Sequence, residues 1–133
     1  MTAAEPGIDA ALEAMQHAYA PYSHFRVGAA LVSRDGAVFM GCNVENSSYP
    51  AGICAERSAL SSAIVAGARE FVRVVVATEA TEPTPPCGLC RQALVEFAPD
   101  LEVISVTSDG KRAAWRLGNL LPAPFTPESL AHR

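Results

Sequence analysis

A nearly unbroken β-branched run, VRVVVA at positions 72–77, is the feature that most constrains the fold of this chain. A strand with one face in water alternates apolar and polar side chains, whereas a strand covered on both faces stays apolar along its length. The run therefore predicts a strand inside a sheet that has other layers packed on both of its faces.

The segments around this strand predict those layers. Apolar residues at helical spacing from Ile8 to Ala18 predict a helix that ends near Pro21. The other predicted elements are strands at 27–32 and 38–42, a loop at 43–53, a helix from Cys54 to a stop at Gly67, a loop at 79–86, a helix at 88–97, and strands at 102–106 and 112–117. This order predicts one domain, residues 1–133, of the α/β class: a three-layer α/β/α sandwich around a mixed five-stranded sheet.

The composition limits which partners the chain can have. Of the 133 residues, 50% are hydrophobic, and the formal charge is 10 − 14 = −4 without any basic run. This balance argues against polymeric nucleic acid and favours a small substrate without a phosphate. No apolar run has the length of a membrane span, and residues 1–6 do not resemble a signal peptide. We expect no membrane association and a cytoplasmic location, where the four cysteines favour metal binding or reactivity over disulfides.

Three of the four cysteines have the spacing of metal ligands. Cys54, Cys87 and Cys90 can supply three thiolates to one Zn²⁺ ion, and Glu56 lies two residues after the first of them. A structural zinc site is closed by four protein ligands, whereas a catalytic site keeps one position open for water. A glutamate beside an open site can take a proton from that water. Zinc-dependent base deaminases use this combination of residues.

The cysteines also fall where predicted helices begin. Cys54 starts one helix, and Cys87 and Cys90 lie on one face of the first turn of another, so two positive helix ends favour thiolates there. Three thiolates and one Zn²⁺ sum to −1, and this excess charge weakens zinc as an acid toward water. Arg57 is the nearest cation that could offset it by donating hydrogen bonds to the sulfurs. Alternatively, Arg57 is a solvated helix residue.

Other interpretations of these residues stay open at this point. Cys42 could be the fourth ligand of a closed structural site, although its place in a predicted strand fits a small buried side chain. Glu56 could simply stabilise a helix N-terminus. Redox chemistry at Cys87 and Cys90 is a third possibility, but it leaves Cys54 and Glu56 unexplained.

Taken together, these segments resemble the short-chain cytidine deaminases over nearly the whole chain. The matching stretches are 22–31 (YSHFRVGAAL), 41–46 (GCNVEN), 48–50 (SYP), 52–57 (GICAER), 86–92 (PCGLCRQ) and 120–122 (LLP) with Phe125. The resemblance implies hydrolytic deamination of cytidine, and of deoxycytidine, to the uracil nucleoside and ammonia. It implies that zinc lowers the pKa of a water that attacks C4 of the ring, while Glu56 carries the proton to N3 and then to the departing amine.

The resemblance also implies roles in substrate binding. The residues concerned are Asn43 and Glu45 for the ribose hydroxyls, Phe25 for the pocket near the base, the Ala55 amide and Pro86 carbonyl for the polar edge of the base, and Tyr49 and Phe125 for the site of a neighbouring subunit in a homotetramer. Two alternatives are a deaminase of a modified cytosine nucleoside and a non-catalytic structural zinc module.

Overall fold

The computed structural model describes residues 6–130, and the first five and last three residues of the predicted domain lie outside this range. The elements are α1 (Ile8–Met15), β1 (Val27–Ser33), β2 (Val38–Cys42), a 3₁₀ turn (Tyr49–Ala51), α2 (Ala55–Val65), β3 (Phe71–Thr78), α3 (Gly88–Val95), β4 (Glu102–Thr107), β5 (Arg112–Arg116), α4 (Leu117–Leu120) and α5 (Pro127–Leu130). Within residues 6–130, no helix combines the length and the apolar character needed to cross a bilayer.

The five strands form one mixed sheet in the order β2-β1-β3-β4-β5. β1 runs antiparallel to both β2 and β3, β3 runs parallel to β4, and β4 runs antiparallel to β5. The start of β1 therefore lies beside the ends of β2 and β3, at a single edge of the sheet. The loops that leave and enter the strands at this edge are the ones that carry the polar motifs of the sequence.

Helices cover both faces of the sheet, as the β-branched run predicts. On one face α1 packs through Ala11 and Met15 onto Val75 and Ile104, and on the other α2 and α3 pack onto a second cluster that includes Val74. Adjacent valines of β3 thus belong to opposite cores, and both are fully buried. The prediction of a three-layer α/β/α sandwich around a mixed sheet is confirmed.

Several predicted boundaries differ from the structure by one or more residues, and two of these differences have a clear structural cause. The first helix ends at Met15 rather than near Pro21, because the chain then turns to pair with the loop after β2. There the Tyr19 amide donates to the Asn43 carbonyl, and the Tyr19 carbonyl accepts from the Glu45 amide. The last predicted strand ends one residue early, since Leu117 begins α4 and its amide donates to the Leu101 carbonyl.

Two glycines let the helices approach the sheet at backbone distance. A Cβ on Gly41 would lie 2.3 Å from the Ala59 nitrogen and 2.5 Å from the Ala55 carbonyl oxygen, both in α2. A Cβ on Gly28 would lie 2.1 Å from the Ala11 carbonyl oxygen in α1. Since these are backbone atoms of packed helices, no side-chain movement can relieve the overlap.

We expect Gly41→Ala to lower the free energy of unfolding by about 2 kcal/mol or more, within the upper range for overpacking of a core. Gly118→Ala is the matched control, because a Cβ there would only touch the Pro99 carbonyl oxygen at an ordinary 3.6 Å. Urea unfolding of the two variants measures the difference. Equal stabilities would show that α2 is not held against β2 by contact with Gly41.

Candidate active site

The sulfurs of Cys54, Cys87 and Cys90 form a compact cluster, with all three atoms within 4.8 Å of one another. The Cys54 and Cys87 sulfurs are 3.7 Å apart, and the Cys87 and Cys90 sulfurs are 3.6 Å apart. Tetrahedral zinc with bonds of about 2.3 Å separates two thiolates by about 3.8 Å, so the spacing fits this metal. Among residues 6–130, Cys42 is not a member of the cluster, and it lies in β2 opposite Gly28.

Two helix N-termini hold these sulfurs together. Cys54 is the N-cap residue of α2, and Cys87 is the N-cap residue of α3, both with extended backbone. Cys90 follows in the first turn of α3 and is fully buried, whereas Cys87 is exposed and Cys54 is half-buried. The unpaired amides and partial positive charge at both helix ends stabilise thiolates at these positions.

The thiols of the cluster also perturb one another. Hydrogen bonds from the Cys90 thiol and from Arg57 lower the pKa of Cys54 to about 5, against the opposing effect of burial. The pKa of Cys90 is raised, because its proton is shared with Cys54 and its sulfur is buried. The Cys54 thiolate therefore forms readily, and a dication bound by the sulfurs would also favour the thiolate form of Cys90.

Arg57 lies next to the cluster rather than in solvent. One of its terminal nitrogens is 3.9 Å from the Cys54 sulfur, and its Nε is buried without a partner among the described residues. The pKa of this guanidinium is raised, chiefly through its hydrogen bond to Cys54. A permanent cation at this distance offsets negative charge on the sulfurs, which is the arrangement expected from the sequence.

Glu56 follows Cys54 by two residues and is buried in the first turn of α2, with 5% of its surface exposed. Burial is the main cause that raises the pKa of its carboxyl to about 7, and the nearby Cys54 raises it further. A carboxyl that is half-protonated near neutral pH can both accept and return a proton. Glu56 thus has the environment of an acid–base group.

A cavity of about 740 Å³ opens in front of the cluster. It lies at the edge of the sheet where β1 starts and β3 ends, and its lining includes Val27 and Thr78. The predicted site residues that line it are Phe25, Asn43, Glu45, Tyr49, Cys54, Ala55, Glu56, Arg57 and Cys87. Such a volume falls within the range of small-molecule sites.

Three predicted site residues do not line this cavity: Cys90, Phe125 and Pro86, which is buried between the lining residues Pro85 and Cys87. Cys90 is buried behind it as part of the sulfur cluster, and Phe125 lies outside it with 59% of its surface exposed. The Phe125 carbonyl accepts a hydrogen bond from Gln92 at 2.7 Å, which ties the tail to α3. Tyr49 lines the cavity but is 78% exposed, and its ring lies 6.4 Å from that of Tyr22.

The side chain of Asn43 is anchored to the start of β1. Its Oδ1 accepts from the Val27 amide at 2.9 Å, and its Nδ2 donates to the Phe25 carbonyl at 2.8 Å. One proton on Nδ2 and one lone pair on Oδ1 remain for a ligand. The side chain therefore holds Phe25 in place and keeps a free polar edge toward the cavity.

The Pro86 carbonyl is also engaged, since it accepts from the Arg91 guanidinium at 2.7 Å. Arg91 donates as well to the Leu120 carbonyl at 2.8 Å, which links α3 to α4. A carbonyl oxygen has two lone pairs, so one of them remains available.

Sequence reasoning missed the residues that hold Glu45. Its carboxylate accepts from the amides of Tyr22 and Ser23 at 3.0 Å and 3.1 Å, and from the Ser23 hydroxyl. The partners are more than twenty positions apart in the chain, in two irregular segments without any periodic pattern. The only sequence signal was their place in the matching stretches 22–31 and 41–46.

Comparisons with known proteins agree with this geometry. Residues 1–106 match the family model for the cytidine and deoxycytidylate deaminase zinc-binding region. A cytidine deaminase of Halalkalibacterium halodurans is 43% identical over 92% of this chain and 94% of its own length.

Solved structures show the same relationship. The crystal structure of a cytidine deaminase from Burkholderia pseudomallei is similar with a TM-score of 0.87 at 50% identity, covering 94% of this chain and all of that one. A cytidine deaminase from Mycobacterium tuberculosis is similar with a TM-score of 0.77 at 36% identity, covering 88% of this chain and 92% of that one. The chain therefore belongs to the cytidine and deoxycytidylate deaminase family.

Proposed function

We propose that the protein is a zinc-dependent cytidine deaminase, a hydrolase that converts cytidine to uridine and ammonia as a step of pyrimidine salvage. The observation that carries the proposal is the buried Glu56 carboxyl beside the cluster of Cys54, Cys87 and Cys90, at the floor of a cavity of nucleoside size. Zinc held by the three thiolates supplies the acidity that turns a water molecule into a nucleophile near neutral pH.

Glu56 moves the proton in this reaction. As a carboxylate it takes a proton from the attacking water and delivers it to N3 of the cytosine ring, which makes C4 more electrophilic. It then takes the proton of the hydroxyl that has added to C4 and passes it to the amino group, so that the C4 carbonyl forms while the C4–N bond breaks and ammonia leaves. Its burial keeps bulk water from competing for these transfers.

Groups at the start of α2, before α3 and before β1 position the base. The Ala55 amide is at the first helical position, where it has no partner within the helix, so it can donate to the polar edge of the base. The free lone pair of the Pro86 carbonyl can accept from the amino group of the base. Phe25, whose backbone carbonyl accepts from Asn43, lines the cavity and provides an apolar wall.

Asn43 and Glu45 bind the sugar. A carboxylate accepts from a hydroxyl, and an amide both donates and accepts, so the pair suits two neighbouring ribose hydroxyls. Deoxycytidine lacks the 2′-hydroxyl of the sugar but retains the 3′-hydroxyl, so we expect it to be a substrate too.

The charges of the cavity favour a nucleoside over a nucleotide. Arg57 is the single cation among the described residues that line the cavity, and its guanidinium is directed at the Cys54 sulfur. A phosphate ester would enter without a basic partner, beside the Glu45 carboxylate. We also infer a cytoplasmic location, because ligation of zinc by Cys54, Cys87 and Cys90 requires reduced thiols, and a single domain over residues 1–133.

Ammonia release tests this function. The zinc-loaded protein is incubated with cytidine, deoxycytidine, deoxycytidylate and adenosine. We expect turnover of the first two and at least about tenfold lower kcat/KM for deoxycytidylate, since the phosphate lacks a partner. Turnover of deoxycytidylate alone, or of none of the four compounds, contradicts the proposal.

We further propose a homotetramer whose sites are completed across subunits. Phe125 lies outside the cavity of its own chain, where Gln92 holds its backbone carbonyl, and its exposed ring is available for contact with a neighbouring subunit. Tyr49 and Leu89 form an exposed apolar rim at the cavity mouth. Aromatic side chains of this kind are enriched at interfaces, and closed symmetry repeats each contact around the assembly.

A complementation experiment tests this assembly. We expect Phe125→Ala to raise KM for cytidine without changing the zinc content. When this variant is mixed with Glu56→Gln and the subunits exchange, some of the sites should regain the normal KM. Such sites pair Glu56 of one subunit with Phe125 of another. Mixing Glu56→Gln with Cys87→Ala is the control, since both residues belong to the same chain's site and activity should stay lost. A fully active monomer at high dilution excludes the shared site.

A further inference from the structure

The carboxylate of Glu45 is almost fully engaged by one turn of the chain. Its Oε1 accepts from the amides of Tyr22 and Ser23 at 3.0 Å and 3.1 Å, and its Oε2 accepts from the Ser23 hydroxyl. An ionised carboxylate offers about four lone-pair positions. Three of them are occupied by this turn, so one position on Oε2 is left, and Glu45 lines the cavity.

The Ser23 hydroxyl is itself oriented by the backbone. Its oxygen accepts a hydrogen bond from the Phe25 amide at 3.0 Å, across a turn closed by His24 with a φ of 58°. A hydroxyl has one proton, and the bond from Phe25 occupies the lone-pair side. The proton is therefore directed at Glu45. The Ser23 hydroxyl thus links the backbone of Phe25, which lines the pocket of the base, to the carboxylate that binds the sugar.

The donors also keep Glu45 ionised. The hydrogen bond from the Ser23 side chain is the main cause that lowers the pKa of Glu45, and the two amides lower it further. An ionised carboxylate can only accept hydrogen bonds, so a ligand at the open position of Oε2 has to be a donor.

We propose that Ser23 is a positioning residue for the sugar: its hydroxyl fixes the rotation of the Glu45 carboxylate so that a single acceptor position faces a ribose hydroxyl. This inference rests on the proposed cytidine deaminase function. Without the Ser23 hydroxyl, Oε2 has two open positions, and only the two amides on Oε1 still limit the rotation of the carboxylate about its last bond. Water then competes for both positions, and the sugar must order the carboxylate when it binds.

The expected loss is confined to binding. For Ser23→Ala we expect KM for cytidine to rise about tenfold, as for one hydrogen bond to a charged group, while kcat stays within about twofold. Ser23→Thr keeps the hydroxyl and should restore most of the affinity. Ser108→Ala is the matched control, because Ser108 is exposed in the turn between β4 and β5 and does not line the cavity.

Two further measurements separate a positioning role from a merely structural one. The KM of the Ser23→Ala variant and of the wild type should be compared on 2′-deoxycytidine and on 3′-deoxycytidine. The increase in KM should persist on one of these nucleosides and vanish on the other, because the other lacks the hydroxyl that donates to Glu45. In a Glu45→Gln background, Ser23→Ala should raise KM by less than about a further twofold, because Ser23 acts on KM only through the Glu45 carboxylate. Zinc content and the midpoint of thermal unfolding should not change in Ser23→Ala.

The outcomes distinguish this inference from the function on which it rests. An active wild-type enzyme whose Ser23→Ala variant shows equal penalties on all three nucleosides, or additive penalties with Glu45→Gln, overturns the role of Ser23 alone. A wild-type protein that releases no ammonia from any of these nucleosides overturns the proposed function and the role of Ser23 with it.

Discussion

Glu56→Gln is expected to lower kcat for cytidine by at least about 10²-fold while zinc stays bound at one ion per chain. The amide keeps the size of the side chain but cannot take a proton from water or return one to the substrate, and general acid–base catalysis contributes about 10²–10⁴-fold. Glu56 is buried beside the sulfur cluster and is not one of the three predicted ligands, so the metal should be retained. KM should change little, because the lost interaction belongs to the transition state.

Steady-state kinetics and metal analysis on the same preparation measure this effect. Glu70→Gln is the matched control: it makes the same chemical change at an exposed residue paired with Arg34, away from the cavity. Its kcat should equal that of the wild type. A Glu56→Gln variant with normal kcat would falsify the proton-transfer role, and a variant that has lost its zinc would assign Glu56 to the metal site instead.

The parts of the fold that could be predicted are those in which local pattern and burial agree. The run at 72–77 became β3, with Val74 and Val75 in opposite cores, because an all-apolar strand is only stable when both faces are covered. The metal cluster could also be predicted, since Cys87 and Cys90 are close in sequence and a short spacing at a helix start brings both sulfurs to one face.

The remaining features depend on contacts between distant segments, which no local pattern encodes. Asn43 was expected to bind the sugar, but its bonds to Phe25 and Val27 show that it also anchors the start of β1. The turn that holds Glu45 lies twenty-two positions before it, at Ser23. The predicted end of the first helix was wrong for the same reason, because Tyr19 pairs with residues beyond β2.

The substrate-binding and cross-subunit roles of these residues stay predictions. Lining a cavity shows that a side chain can reach a ligand, which holds for Phe25 and Glu45. It does not hold for Phe125, whose role depends on a second subunit. The complementation experiment and the Ser23 series address these two groups separately.

Removal of one sulfur from the cluster is expected to abolish both zinc binding and activity. We expect Cys87→Ala to hold less than a tenth of an equivalent of zinc and to release no measurable ammonia. Two remaining thiolates make a poor site for an ion that prefers four ligands, and water activation depends on the ion. Cys87 is exposed, so its replacement by alanine leaves no core cavity, and any loss reflects the metal.

The same variant should also be less stable, because zinc bound to the three sulfurs would join the starts of α2 and α3 and stabilise the folded state. A ligand present at 1,000 times its Kd stabilises the native state by about 4 kcal/mol. For a chain of this size, loss of that stabilisation lowers Tm by roughly 15 °C. Chelation of the wild-type protein should produce a similar fall, and chelator should have no further effect on Cys87→Ala.

Cys42→Ala is the matched control, and it also decides between an open and a closed site. Cys42 lies in β2 opposite Gly28 and outside the sulfur cluster, so its variant should keep one zinc per chain and normal activity. Loss of zinc in Cys42→Ala would instead make it a fourth ligand and leave no position for water. Zinc held only by the sulfurs of Cys54, Cys87 and Cys90 would keep one position open for water, which catalysis requires, and Glu56 lines the same cavity as Cys54 and Cys87.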